Sequence, residues 1–228
     1  MTAGKNPRTV RSFVRRTGRL TPAQQRALDE LWPKFGIEFA PAQLDLERTF
    51  GRRAPCVFEI GFGNGETLAE QASLNPERNY LGVEVHEPGI GHCLLKIEAQ
   101  GIANLRLLRH DAIEVLKDQL PEQSLDRINL YFPDPWPKKR HHKRRIVNAA
   151  FLDLCARVLG LGSHLHIATD WENYAEHIDE QIVQSTNFRC AERRKHNGDQ
   201  PLERPNTKFE QRGLKIGHKI VDWKLARI

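Results

Sequence analysis

Glu59 stands two residues ahead of a glycine turn, Gly61-Phe62-Gly63-Asn64-Gly65, that leads into Glu66. Glycines in such a turn let a ligand press against backbone N–H groups at the start of a helix. A pyrophosphate site uses the spacing G-x-G-x-x-G. Here that third position is Glu66, whose bulk and charge oppose a diphosphate. An acid at Glu59 suits a cationic ligand, either an ammonium or a sulfonium. S-adenosylmethionine carries both and has no phosphate. Glu84 follows roughly 20 residues after the turn, where an acid commonly binds ribose hydroxyls, and a carboxylate can accept from two at once. Asp111 has two open readings: acceptor for the exocyclic amine of adenine, or N-cap of the next helix.

A second constellation begins at Tyr131-Phe132-Pro133-Asp134-Pro135-Trp136-Pro137. Alternate prolines exclude helix and sheet, so an acid and an indole are held on a stiff loop. Lys138, Lys139, Arg140, His141, His142, Lys143, Arg144 and Arg145 follow without a break. A polycation beside a rigid acid and a cofactor turn points to a nucleic acid as the molecule modified. Asp170 and Trp171 supply another acid and indole. Asp170 reads either as an N-cap or as a substrate ligand, and both indoles read either as base-stacking platforms or as packing.

These residues need elements to hold them. Strand and helix patterns alternate from Pro55 onward. The expected strands are 56–60, 80–85, 104–108, 127–132 and 164–168, with helices over 66–74, 88–100, 112–120, 144–159 and 171–184. A further helix is expected over 24–32, entered through Thr21-Pro22 and ending before Pro33. Segments 188–192 and 218–226 read as strands completing the sheet, with an antiparallel strand at its C-terminal edge. Short strands, apolar on both faces, make this an α/β fold: a doubly wound, mostly parallel sheet with helices on both faces. Ligands of such sheets sit beyond the carboxyl ends of the strands, which is where Glu59, Glu84, Asp111, Asp134 and Asp170 fall.

With 228 residues, the chain suits one domain, taken as 21–228, behind a basic arm of residues 1–20. The net charge of +6 is moderate, so its distribution matters more than its sum. One cluster is Lys5, Arg8, Arg11, Arg15, Arg16 and Arg19; another is Arg189, Arg193, Arg194, Lys195 and His196, for which a solvated face is an equal reading. No apolar run approaches the ~18 residues of a membrane helix, and the N-terminus lacks the apolar core of a signal peptide. A cytoplasmic protein is expected. Cys56, Cys93, Cys155 and Cys190 form no C-x-x-C pair and read as small core residues, so no metal is expected.

The chain resembles the bacterial tRNA (guanine-N7)-methyltransferases, a Rossmann-like class I methyltransferase family. The resemblance rests on Arg11-Ser12-Phe13-Val14-Arg15-Arg16, Glu59 to Gly65, Gly82-Val83-Glu84-Val85-His86, Phe132 to His141, and Thr207-Lys208-Phe209-Glu210. These run in order along nearly the whole chain. The loop joined to its basic run is the most specific of them; the glycine turn is shared by many methyltransferases. The resemblance implies methyl transfer from S-adenosylmethionine, leaving S-adenosylhomocysteine, to a guanine in the variable loop of tRNA. It implies a cofactor site lined by Glu59, Gly61, Gly63, Gly65, Glu84, Asp111 and Asp134, with Asp134 also catalytic. Lys138, Asp170, Thr207, Lys208, Phe209 and Glu210 would contact the substrate base, and Arg140, His141, His142, Lys143, Arg144 and Arg145 the RNA. Nothing in the sequence calls for an obligate protein partner or a membrane, and a monomer or homodimer is expected. Rival readings are a methyltransferase acting on another base atom and a non-catalytic basic RNA-binding protein.

Overall fold

The computed structural model describes residues 12–13, 18–198 and 203–228. Most of the expected N-terminal arm, including Lys5, Arg8, Arg11, Arg15 and Arg16, lies outside the described residues.

The chain enters through α1 (Pro22–Phe35) and a two-residue strand β1 (Gly36–Ile37), then α2 (Leu46–Phe50). Thr21 closes a capping box: its hydroxyl accepts from Gln24 N at 3.2 Å, and Gln24 Oε1 accepts from Thr21 N at 2.9 Å. α1 does not stop before Pro33, as expected, but runs through it to Phe35. Proline so near a helix end removes one hydrogen bond only, and continuation buries Phe35.

Strands β2 (Cys56–Ile60), β3 (Asn79–Val83), β4 (Leu105–Leu108), β5 (Leu125–Tyr131) and β6 (Leu159–Thr169) pair in parallel. Helices α3 (Glu66–Leu74), α4 (Glu87–Gln100), α6 (Ala149–Val158) and α7 (Glu172–Gln184) alternate with them. The connection after β4 differs from the single α-helix expected over 112–120. It is one turn, α5 (Ala112–Glu114), followed by a π-helical turn over Val115–Gln119, closed by Leu120 N donating to Val115 O at 3.0 Å.

The helix expected over 144–159 is also shorter. Lys139–Arg144 form a 3₁₀ turn, and α6 begins only at Ala149, where Asn148 Oδ1 accepts from Phe151 N at 3.1 Å. Ile146 and Val147 have helical spacing in the sequence but are buried in the link between the two. Asn148 offers the backbone a cap, and that local bond wins over helix continuation.

The sheet order is β1-β4-β3-β2-β5-β6-β8-β7. β8 (Ile220–Arg227) runs antiparallel between β6 and β7 (Phe188–His196), so β7 forms the edge. One apolar layer packs α6 and α7 on the sheet around Phe58, Phe151, Tyr174 and Trp223; the other packs α1, α3 and α4 around Leu68, Ile90, Leu94 and Leu107. Cys56, Cys93 and Cys155 lie in these layers, whereas Cys190 is exposed on β7, contrary to the expected core position. Strand order reverses between β2 and β5, since β3 and β4 lie to one side and β6 to the other. That reversal is the crevice where sheets of this kind bind ligands.

Candidate active site

The reversal point places the glycine turn after β2 opposite the proline loop after β5. Gly61 and Gly63 have φ of +69° and +57°, and a Cβ on either would meet nothing within 4 Å. Their backbone therefore faces open space that a ligand can fill. Gly65 differs: a Cβ there would stand 2.3 Å from Cys93 Sγ, so it serves close packing of the turn on α4. A cleft of about 230 Å³ is lined by Gly61, Gly63, Glu84, Asp111, Asp134 and Phe209. It adjoins a second of about 320 Å³ that reaches Glu59, Thr67, Thr207 and Lys208.

Glu59 is 3% exposed. Oε1 accepts from the Thr67 hydroxyl at 3.2 Å, and Oε2 has no protein partner. Burial pushes the carboxyl up to about 7, against the opposing pull of Thr67 and Asn129. Asn129 sits in register beside it on β5, and both atoms of its amide lack an aligned partner. A buried acid with an orphaned oxygen is costly unless a cation completes it. That observation fits the amino group of S-adenosylmethionine.

Glu84 is more committed than its spacing suggests. Oε2 accepts from Gly63 N at 2.9 Å, and Oε1 accepts from Val85 N at 2.6 Å and His86 N at 3.0 Å. Of about four lone-pair positions on a carboxylate, one remains for a ribose hydroxyl. Glu84 thus shapes the glycine turn as well as lining the cleft. Asp111 caps α5 through Ile113 N at 3.0 Å and also lines the same cleft.

The proline loop is strained where it turns. Phe132 and Trp136 have φ of +51° and +48° without being glycine, a conformation costing ~1 kcal/mol or more that surrounding contacts must offset. Arg145 supplies part of that support. Nε donates to Pro135 O at 3.0 Å, and Nη2 donates to Asn173 Oδ1 at 2.8 Å. Arg145 is 3% exposed. Against the expectation that it contacts RNA with its neighbours, it faces inward and braces the loop. A tight 3₁₀ turn cannot present every member of a charge run to solvent. Lys138, Lys139, Arg140 and Lys143 are exposed, and Arg144 lies over the Trp136 ring at 4.8 Å. Trp136 Nε1 also donates to Ser12 O at 3.0 Å. Asp134 itself is exposed at the mouth of the cleft.

Asp170 is not brought into that cleft. It lines a larger open groove of about 740 Å³ with Trp171, Lys195 and His218, and its Oδ2 lies 3.1 Å from His218 Nδ1. The N-cap of α7 is Trp171, which packs against the core. Arg193 and Lys195 on β7 pair with Asp179 and Glu172 at 2.8 and 3.1 Å, a solvated, neutralised face.

Thr207 to Glu210, read in the sequence as a substrate-contacting segment, are the N-cap and first turn of α8 (Lys208–Lys215), closed by a second capping box. The T-x-x-E spacing carried that signal in the sequence. Lys208 Nζ reaches Glu66 Oε1 at 2.6 Å, and Phe209 lines both clefts at 58% exposure. Glu210, expected to touch substrate, is fully buried and turned away from the cleft. Arg204, which binds it at 2.6 Å, carries no signal in the sequence.

The carboxylate of Glu66 in the lining of the cleft opposes a diphosphate, while an ammonium would find Glu59 waiting; on a sheet of this order, that pairing belongs to the S-adenosylmethionine-dependent methyltransferases. Residues 53–223 match the family described as "Putative methyltransferase". The chain is 53% identical over 223 residues to the tRNA (guanine-N(7)-)-methyltransferase of Alkalilimnicola ehrlichii, covering 96% of this chain and 92% of that protein. It is 49% identical over 221 residues to the enzyme of the same name from Nitrosococcus oceani, covering 97% and 92%. Among solved structures, TrmN from Thermus thermophilus superposes with a TM-score of 0.54 at 19% identity, over 80% of this chain and 47% of that one, a likeness of fold alone. The chain belongs to the tRNA (guanine-N(7)-)-methyltransferase family.

Proposed function

We propose that this protein transfers a methyl group from S-adenosylmethionine to N7 of a guanine in the variable loop of tRNA. The observation that carries the reading is continuity: the half-satisfied buried Glu59, the cleft, the exposed Asp134 on its braced loop and the basic 3₁₀ turn form one unbroken edge of the sheet. Residues 21–228 act as one catalytic domain behind the arm 1–20, as a monomer or homodimer in the cytoplasm. Among the described residues no helix is long and apolar enough to cross a membrane.

Glu59 would hold the cofactor's amino group, Glu84 a ribose hydroxyl, and Asp111 the adenine. When bound, S-adenosylmethionine supplies an electrophilic methyl on a positively charged sulfur. Guanine N7 carries a free lone pair at neutral pH, so no strong general base is needed. The protein's task is to hold N7 in line with the methyl carbon, and positioning of this kind is worth up to ~7–11 kcal/mol in the best cases. Positive charge passes to the guanine ring as N7 takes the methyl. Asp134 at the mouth then interacts more strongly in the transition state than before it. A carboxylate facing guanine can also accept from N1–H and the exocyclic amine, a donor pair that adenine lacks. Lys138 and the first turn of α8 would contact the base.

The exposed cations carry the RNA in this reading. Changing Lys143 and Arg144 together to alanine is expected to lower the slope of log affinity against log salt by ~0.7–0.9 for each phosphate that is no longer neutralised. Arg145→Ala should leave that slope alone and lower stability by about 1–3 kcal/mol, through the carbonyl acceptors it abandons. Salt titrations of tRNA binding and thermal melts of the parent and both variants separate these effects. An unchanged slope in the double variant moves the RNA footprint off the 3₁₀ turn. Methylation at another base atom is distinguished by product chemistry, because only an N7-methylguanosine site becomes labile to reduction and aniline.

A further inference from the structure

Against the first turn of α8, the guanidinium of Arg204 is wholly enclosed. Nε and Nη2 donate to the two carboxylate oxygens of Asp222, at 2.6 and 3.0 Å. Nη1 and Nη2 donate to the two oxygens of Glu210, at 2.6 and 3.2 Å, and Nη1 also reaches Pro205 O at 3.3 Å. All five N–H groups are used, in two forks. Asp222 is itself held from two neighbouring strands: His166 Nε2 on β6 lies 3.0 Å from one oxygen, and His196 Nε2 on β7 lies 2.8 Å from the other. The guanidinium carbon also lies 5.4 Å from the Phe132 ring centroid and 5.6 Å from that of Tyr131.

Arg204 therefore joins three pieces that the sequence keeps apart. Asp222 belongs to β8, one strand in from the edge of the sheet. Glu210 belongs to the turn that presents Lys208 and Phe209 to the cleft. Phe132 begins the strained loop that carries Asp134. A buried ion cluster is a poor device for stability alone, since well-packed apolar groups of similar volume often do as well or better. What a planar, doubly forked guanidinium adds is direction. Phe209 illustrates the need: it stays 58% exposed while Glu210 beside it is fully buried. Something must hold that turn so that its aromatic stands in the cleft and does not collapse onto the core.

We propose that Arg204 is a positioning residue for methyl transfer. By clamping Glu210 to Asp222 it fixes the first turn of α8 as the far wall of the cofactor cleft, and by seating Phe132 it fixes the start of the catalytic loop. The proposal rests on the methyltransferase reading above.

Arg204→Lys keeps the charge and most of the volume but cannot fork onto two carboxylates. Its heat-unfolding curve, its affinity for S-adenosylhomocysteine by calorimetry without RNA, and its steady-state kinetics on tRNA test the proposal. The expected result is a folded protein with cofactor affinity weakened about 10-fold and kcat lowered about 10²-fold, the loss that a misplacement near 1 Å can cause. KM for tRNA should stay within about twofold, because the exposed cations that govern phosphate binding are untouched. This split is what a general loss of structure would not give. Should Arg204→Lys fail to fold, Glu210→Gln carries the test, since Arg204 keeps Asp222 and one fork is weakened; the same split is expected at about 10-fold in kcat. Either folded variant with kcat, KM and cofactor affinity all near the parent's overturns the proposal. So does a loss of activity that only tracks the fraction unfolded. If the parent binds S-adenosylhomocysteine but methylates no tRNA, the functional reading fails separately, and weakened cofactor affinity in the folded variant still registers the clamp.

Discussion

Asp134→Ala is expected to leave a folded protein that still binds S-adenosylhomocysteine and to lower kcat by about 10²–10³-fold, the cost of removing one preorganised electrostatic group. The fold should survive because Asp134 is exposed at the cleft mouth. The loop's shape is set elsewhere, by Pro133, Pro135 and Pro137, by Arg145 beneath them and by Arg204 against Phe132. The kinetic loss should be large because the guanine ring gains positive charge only as the methyl arrives, so a nearby carboxylate acts on the barrier and little on ground-state affinity. Asp134→Asn separates charge from hydrogen bonding. It retains one acceptor and loses the charge, and it should lie close to the alanine variant if charge dominates. Single-turnover rates with saturating tRNA read the effect directly. A rate near the parent's in Asp134→Ala removes Asp134 from the chemistry.

The second large effect concerns Glu59. Its carboxyl is pushed up to about 7 by burial, so near neutrality the site without ligand is divided between protonated and ionised forms. An ammonium binds the ionised form. Affinity for S-adenosylhomocysteine, which carries the same amino group, should therefore rise as pH increases through about 7. The ligand amine belongs to a free amino acid, whose own carboxylate keeps it protonated across this range, so the rise reports Glu59 alone. The sign for folding is opposite. A carboxyl whose folded value stands above its unfolded one binds more protons when folded, so the ligand-free protein loses stability between the ordinary carboxylate range and about 7. Glu59→Gln should abolish the rising limb of the affinity profile and weaken binding by about 10²-fold, at the lower end of the cost of unpairing a buried charge. It should also stabilise the ligand-free protein at pH 8. Calorimetric titrations from pH 6 to 8.5 on both proteins provide the check. A parent profile that is flat through neutrality means that Glu59 does not meet the amino group.

The acids of the site were legible because a doubly wound sheet gathers its ligands at strand ends, and strand ends can be read from short apolar runs. Glu59, Glu84, Asp111 and Asp134 each follow or close such a run, and all four line the adjoining clefts. How they are used was less legible. That Glu84 commits three lone pairs to backbone depends on where the turn folds back. Within the basic run, Arg145 looks like its neighbours in sequence, and only the 3₁₀ turn and the helix start at Asn148 turn it inward. Apolar residues at helical spacing pointed to a helix across that stretch, because periodicity carries no information on a competing cap. The Arg204 cluster was hidden for a different reason. Its members lie on separate strands and loops, and each alone resembles an ordinary surface charge. Burial and pairing across the sheet give them meaning, and sequence spacing encodes neither.

The roles of Glu59 and Asp134 both depend on the reaction itself. Labelled methyl transfer from S-adenosylmethionine to unmodified tRNA transcripts, with the product nucleoside identified and mapped, tests it most directly. N7-methylguanosine is expected at one variable-loop position, in the parent and far more slowly in Asp134→Ala. Label on another base atom would keep the fold and the cofactor but contradict the proposed chemistry. No label, from protein that demonstrably binds S-adenosylhomocysteine, would contradict the assignment of tRNA as its substrate.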